Sequence, residues 1–204
     1  MDVDSTLIQD EVIELLADEA GVRAEVAEIT DRAMRGEIDF EQSLRERVAM
    51  LKGLPDTVFE TAQKRIRLSE GARTLISAVH ASGGRVGAVS GGFNQILKPL
   101  ASQLNLDYHA ANELEVVDGF LTGQILGEVI DRAAKAAKLE LWARDFGIST
   151  ELVAAIGDGA NDLDMFEAAG LSFAYNAKPA VRERADVIID EPDLSLVIPH
   201  LGLK

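Results

Sequence analysis

The chain has 204 residues, 47% apolar and 27% charged, which is enough for one buried core with an insertion and too ordinary for a disordered or membrane class. Its formal charge of −15 argues against nucleic acid as a partner, because such binding depends on lysine and arginine neutralising phosphates. No apolar run approaches a bilayer span and no basic region opens the chain; the absence of cysteine excludes disulfides and thiolate chemistry and fits a cytoplasmic location.

After an acidic opening, residues from about 7 to 68 read as consecutive helices with no convincing strand, broken near Gly21, Gly36 and Gly53-Leu54-Pro55. Asp39 is placed to cap a helix with Phe40, Leu44, Val48 and Leu51 on one face. From Glu70 the pattern alternates. Helix 71–82 leads to strand 85–89, helix 93–104 and a short extended stretch at 107–111. Leu114–Val117 and Phe120–Leu126 flank Asp118-Gly119, the signature of a β-hairpin with a type I′ turn. A helix at 129–146 precedes strand 152–156, helix 161–169, strand 171–175, helix 178–184, strand 186–190 and a last helix. This alternation predicts an α/β core built on a parallel sheet covered on both faces, with a helical insertion near its start.

Three clusters carry chemistry. Asp2 and Asp4 stand one residue apart beside Ser5 and Thr6, so their carboxylates can share a face of a turn. Val89-Ser90-Gly91-Gly92 ends an apolar run with a hydroxyl and an unhindered backbone. Gly157-Asp158-Gly159-Ala160-Asn161-Asp162 puts two more carboxylates in a glycine turn. Each has a plain alternative: a frayed acidic terminus, a strand-end turn, or a capped helix start. Both Ser90 and Asp158 follow predicted strands, and ligands in open parallel sheets bind beyond the strands' carboxyl ends. Clustered carboxylates must be paired or metal-bound, and an all-oxygen set suits Mg²⁺ better than zinc. Asp2 as nucleophile and Asp4 as proton donor and acceptor would make this a phosphoryl-transfer site. A chain so acidic repels phosphates, so the site must bring its own positive charge. Lys135, among four alanines, is a candidate, although most helix lysines are merely solvated. Arg47 falls inside the Phe40–Leu51 stripe, where a charge needs a partner or a ligand, whereas Arg45 points away.

This constellation resembles the haloacid-dehalogenase superfamily and, within it, the phosphoserine phosphatases, over essentially the whole chain. Asp2 to Leu7 is similar to the first motif, Val89 to Phe93 to the second, Lys135 to the third and Gly157 to Asp162 to the last. The resemblance implies a Rossmann-like core at residues 1–11 and 69–204, a helical cap at 12–68 and a small hairpin flap. It implies Mg²⁺ on the carboxylates of Asp2 and Asp158 and the backbone carbonyl of Asp4, with Asp162 supporting a metal-bound water. Ser90, Gly91, Lys135 and Asn161 would hold phosphate. Glu11 would meet the ammonium of O-phospho-L-serine and Arg47 its carboxylate, with Met34 and Phe40 packed around it.

One departure stands out. The family's first motif follows an apolar central strand, and here only Met1 precedes Asp2. The chain is therefore expected to lack the first core strand, with unpaired backbone, exposed apolar surface and a nucleophile on a free terminus. Relatives with regulatory domains before the first motif make a lost upstream domain, or a homodimer, a further expectation. The competing readings are the same chemistry on phosphothreonine or phosphohomoserine, phosphate transfer to an acceptor alcohol, and a non-catalytic Mg²⁺- or phosphate-binding form.

Overall fold

Apolar residues at helical spacing make α1 over Val12–Ala20, which buries Val12, Ile13, Leu15 and Leu16 and stops at Gly21 in the left-handed conformation. The computed structural model describes residues 1–203, the Met34 side chain excepted. α2 (Arg23–Met34), α3 (Phe40–Ala49) and α4 (Val58–Arg65) follow. Asp39 caps α3 by accepting from the Gln42 N–H, and Leu44 and Val48 face the core.

The alternating part comprises α5 (Ala72–Ala81), β1 (Gly87–Phe93), α6 (Asn94–Leu104), β2 (Tyr108–Val117), β3 (Phe120–Leu126) and α7 (Arg132–Phe146). It continues with β4 (Ala154–Gly157), α8 (Leu163–Ala168), β5 (Leu171–Tyr175), α9 (Pro179–Arg182), β6 (Val187–Ile189) and a tight closing helix, Leu194–Leu201. Asp118 and Gly119 join β2 to β3 with φ of 50° and 80°, the double left-handed geometry of a type I′ turn.

Two expectations need correction. The extended stretch at 107–111 and the first hairpin arm form one strand, β2, which runs parallel to β1 and then antiparallel to β3. Changing partner at its middle hides its continuity in the sequence. Ser90 does not follow its strand but lies within β1, which extends to Phe93. The parallel pairing expected of the core is present in both three-stranded sheets, β1-β2-β3 and β4-β5-β6, with β3 as the antiparallel hairpin arm.

Met1 and Asp2 join these sheets. The Met1 ammonium donates to the Gly87 carbonyl at 2.7 Å, and the Val89 N–H donates to the Met1 carbonyl at 3.0 Å. On the other side the Asp2 N–H donates to the Ile156 carbonyl at 2.9 Å. The nucleophile candidate is thus pinned between two strands, not hung on a free terminus; burial even pushes the Met1 ammonium pKa down to about 6. Behind Met1, between β1 and β4, lies an apolar cavity of about 320 Å³ whose lining includes Val86, Val89, Trp142 and Ile156. None of the aspartates of the three motifs lines it.

Apolar side chains gather in two clusters on opposite faces. One centres on Val89, Leu139, Ala155, Met165 and Phe166 beneath α7 and α8. The larger joins α5, α6 and the inserted helices through Leu7, Leu16, Leu75, Phe93 and Phe173. Among the described residues no helix is long and apolar enough to cross a membrane.

Candidate active site

Four charged side chains meet beyond the carboxyl ends of the strands. Asp2 ends the strand-like stub, Asp158 and Asp162 follow β4, and Lys135 reaches in from α7. Asp131 caps α7 through the Ala134 N–H, and the helix packs on β1 and α8, turning Lys135 inward. Far from being solvated, Lys135 is 0% exposed. Its ammonium lies 2.7 Å from Asp2 Oδ1 and 2.8 Å from Asp162 Oδ1. Burial opposes that charge, but Asp2 and Asp162 outweigh it and hold the pKa above the usual lysine value.

Glycines let the last motif close this tightly. A Cβ on Gly157 would sit 2.3 Å from Asp162 Oδ2, and one on Gly159 would sit 2.3 Å from Asn161 Oδ1. The Gly159 N–H donates to Asp162 at 3.1 Å, completing the support of that carboxylate. Asn161 is half-buried at the rim and has no side-chain hydrogen bond among the described residues.

Asp4 occupies a different environment. The Val12 N–H, at the start of α1, donates to its Oδ1 at 2.7 Å, and the Ser90 hydroxyl donates to its Oδ2 at 2.7 Å. Burial raises the Asp4 pKa, the Val12 bond pulls it down, and the charge of Asp2 adds to the rise. Both carboxylate oxygens are thus hydrogen-bonded, and Asp4 is not among the carboxylates that gather at Lys135. Gly92 donates its N–H to Ser90 Oγ at 2.7 Å, and a Cβ there would lie 2.9 Å from Asp4 Oδ2. A Cβ on Gly91 would meet Phe40 Cζ at 2.9 Å, so the inserted helices touch the Ser90 loop directly.

The remaining candidates lie at the start of the insertion and within it. Glu11 precedes α1 and is exposed as a residue, yet its carboxylate accepts from the Ser5 hydroxyl at 2.6 Å. Burial of that carboxyl, reinforced by Asp4, pushes its pKa up to about 7. Ser5 makes this contact from a left-handed conformation, φ 55°, an uncommon cost for a non-glycine residue. Arg47 donates from Nε to the Ser43 carbonyl at 3.2 Å and makes no ion pair among the described residues. Burial lowers its pKa, with Glu11 and Asp4 acting in the opposite direction. Arg45 points away and pairs with Glu41 on the exposed face. The Met34 side chain lies outside the described residues.

The site fits a divalent cation by its own chemistry. Asp2, Asp158 and Asp162 bring ligand oxygens within 4.8 Å of one another, against the single charge of Lys135. Asp158 accepts one weak bond, from the Thr6 hydroxyl at 3.3 Å. Burial and then the charge of Asp2 push the Asp158 pKa up to about 6 and raise Asp162 as well. An all-oxygen set with surplus negative charge calls for a hard cation.

Three participants went unassigned in the sequence. Thr6 was visible within the first motif, but nothing tied its hydroxyl to Asp158, 152 residues away. Ser5 required the turn to be known. Asn112, buried beneath the Ser90 loop, left one signal: an amide within a strand, where asparagine is disfavoured.

A cleft of aspartates around one lysine, at the edge of a split α/β sheet and beneath a helical insertion, defines a class of phosphate-handling hydrolase. The family model of the haloacid dehalogenase-like hydrolases matches residues 1–167. A phosphoserine phosphatase of Streptococcus thermophilus is 54% identical over 98% of this chain and 94% of its own length. One from Streptomyces coelicolor is 55% identical over the whole chain, which spans only 50% of that relative. Among solved structures, a phospho-aspartyl intermediate analogue of phosphoserine phosphatase superposes with a TM-score of 0.92 at 46% identity, covering 98% of this chain and 96% of its own. A substrate-bound phosphoserine phosphatase complex gives the same TM-score and identity, with coverage of 98% and 95%. The chain belongs to the haloacid dehalogenase-like hydrolases, and within them it groups with the phosphoserine phosphatases.

Proposed function

We propose that this chain hydrolyses O-phospho-L-serine to L-serine and phosphate through an aspartyl-phosphate on Asp2. The observation that carries this reading is the convergence of Asp2, Asp158 and Asp162 around the Lys135 ammonium, with Asp4 tied to Ser90 beside them. Residues 1–11 and 69–204 act as the core and 12–68 as the cap, which covers the substrate.

A bound Mg²⁺, held by Asp2, Asp158 and the Asp4 carbonyl with Asp162 behind it, supplies charge neutralisation for the phosphoryl group. Lys135, Ser90, the Gly91 N–H and Asn161 orient the phosphate oxygens. Asp2 attacks phosphorus as the bond to the serine oxygen breaks, and Asp4 gives that oxygen its proton. The raised pKa of Asp4 favours the protonated form this step needs. Asp4 then takes a proton from water as the water oxygen attacks phosphorus, freeing phosphate and restoring Asp2. Glu11 and Arg47 meet the serine ammonium and carboxylate, while Phe40 and Met34 exclude water from the covered site.

The test is Mg²⁺-dependent phosphate release from O-phospho-L-serine by the 204-residue chain, with EDTA and Asp2→Asn as controls. Turnover lost in both controls is the expected result. A folded, Mg²⁺-binding chain without turnover would overturn the reading.

A further inference from the structure

The Ser90 loop has no strand to lean on. Pairing between β1 and β2 runs Gly87↔Tyr108, Ala88↔His109, Val89↔Ala110 and then jumps to Phe93↔Asn112. Four residues of β1 therefore advance against two of β2, so Ser90, Gly91 and Gly92 bulge out of the ladder. A bulge of this kind, rich in glycine, needs something else to fix its peptide planes.

We propose that Asn112 is the positioning residue that fixes this loop for phosphate binding. Its side chain is 1% exposed, and its Nδ2 donates to the Gly91 carbonyl at 2.8 Å. Its Oδ1 accepts from the Ile130 N–H at 2.7 Å, so a carbonyl on one side and an N–H on the other set the amide's orientation. A trans peptide holds its C=O and N–H on opposite sides of one plane. Asn112 therefore grips one edge of the Gly91–Gly92 peptide, while the other edge, the Gly92 N–H, donates to Ser90 Oγ. With that lone pair filled, the Ser90 proton is directed to Asp4 Oδ2. Hydrogen bonds thus run without a gap from Asn112 through the bulge to Asp4.

The second arm reaches the cation. Ile130 immediately precedes Asp131, the cap of α7, and the Lys135 N–H donates to the Asp131 carbonyl at 3.0 Å. One buried amide thereby spaces the Ser90 loop from the helix that carries Lys135. Without it the Gly91–Gly92 peptide is held by the Gly92–Ser90 bond alone, and the two glycines add little resistance of their own.

This role rests on reading Ser90, Gly91 and Lys135 as the phosphate contacts. Asn112→Asp isolates it, because a carboxylate still accepts from Ile130 but cannot donate to Gly91. Asn112→Ser, shorter and uncharged, decides the matter if the buried carboxylate prevents folding. The full chain is assayed for kcat and KM with O-phospho-L-serine, for orthophosphate affinity, for Mg²⁺ affinity alone, and for active-site content by phosphoenzyme titration. Expected is a loss of about 10–100-fold in kcat per active site and a weakening of orthophosphate binding to match, with Mg²⁺ affinity unchanged. Unchanged kcat per site and orthophosphate affinity in a folded variant would overturn the proposal. So would a loss explained entirely by fewer active sites, the mark of a merely structural role. Orthophosphate binding needs no turnover, so a wild-type chain inactive on O-phospho-L-serine would refute the substrate reading and leave this one to be decided by affinity.

Discussion

The two ends of the site are built on opposite terms. At the core end three of the four carboxylates are tied down twice, Asp2 by Val3 and Lys135, Asp162 by Gly159 and Lys135, Asp4 by Val12 and Ser90, and Asp158 alone keeps one weak bond, from Thr6. At the cap end, Arg47 has one carbonyl, and Glu11, at the junction of core and cap, has one hydroxyl. Groups that must hold reacting atoms to a fraction of an ångström are preorganised by backbone. Groups that only recognise can stay under-satisfied until a ligand arrives. On this view damage at the core end destroys turnover on every substrate, and damage at the cap end selects among substrates.

The largest effect belongs to Asp2→Asn. The amide keeps the shape but cannot attack phosphorus, and turnover is expected to fall by about 10³-fold or more on phosphoserine and p-nitrophenyl phosphate alike. Lys135 retains Asp162, and one buried like-charge contact disappears, so the thermal midpoint should not fall. A single-turnover assay with both substrates, alongside a melting curve, checks both halves.

Arg47→Ala should divide the two substrates. Removing a charged hydrogen-bonding partner costs about 1.5–3 kcal/mol, which predicts a KM for phosphoserine raised by roughly 10–100-fold. The aryl phosphate, lacking an amino-acid end, should change by less than about threefold on the same basis. Equal losses on both would merge the two ends of the site into one.

How legible this contrast was depends on range. Helix α3 and its Asp39 cap could be read because capping and amphipathic spacing act within a few residues. Asp2, Asp4, Asp158 and Asp162 were recognisable because their motifs are dense and local. The burial of Lys135 was not, since it depends on which face α7 turns to β1 and α8. Nor was the way Met1 and Asp2 bridge β1 and β4, whose bonded residues Gly87 and Ile156 lie some 86 and 154 positions away. Asn112 shows the same limit: nothing near it in the sequence says that its partners are Gly91 and Ile130.

A smaller effect comes from Glu11. Its folded pKa, about 7, stands above the usual 4.5, so between those values the folded state binds more protons than the unfolded one. Stability from this group is therefore lost as pH rises from about 4.5 to 7. Glu11→Gln should remove that slope in metal-free buffer, leaving the midpoint unchanged at pH 4 and raising it by a few degrees at pH 8. Since the residue is largely exposed, solvent screening keeps the effect modest. A wild-type midpoint that tracks the variant's across this range would place the Glu11 carboxyl in water and end its role as a poised, recognition-side anion.

The smallest effect is expected one turn from Arg47. Ser43 is 1% exposed on α3, and its hydroxyl has no hydrogen-bond partner among the described residues. A buried hydroxyl without a partner is a net cost, and alanine is the better helix former. Ser43→Ala should therefore stabilise the chain by up to about 1 kcal/mol, read as a shift in the urea midpoint at constant slope. KM for phosphoserine should stay within about twofold, because it is the carbonyl of Ser43, not its hydroxyl, that holds Arg47. A KM that rises while stability also rises would mean that the orphan hydroxyl waits for substrate as Arg47 does. That would extend the under-satisfied, recognising end of the site by one residue, and the contrast between cap and core would sharpen.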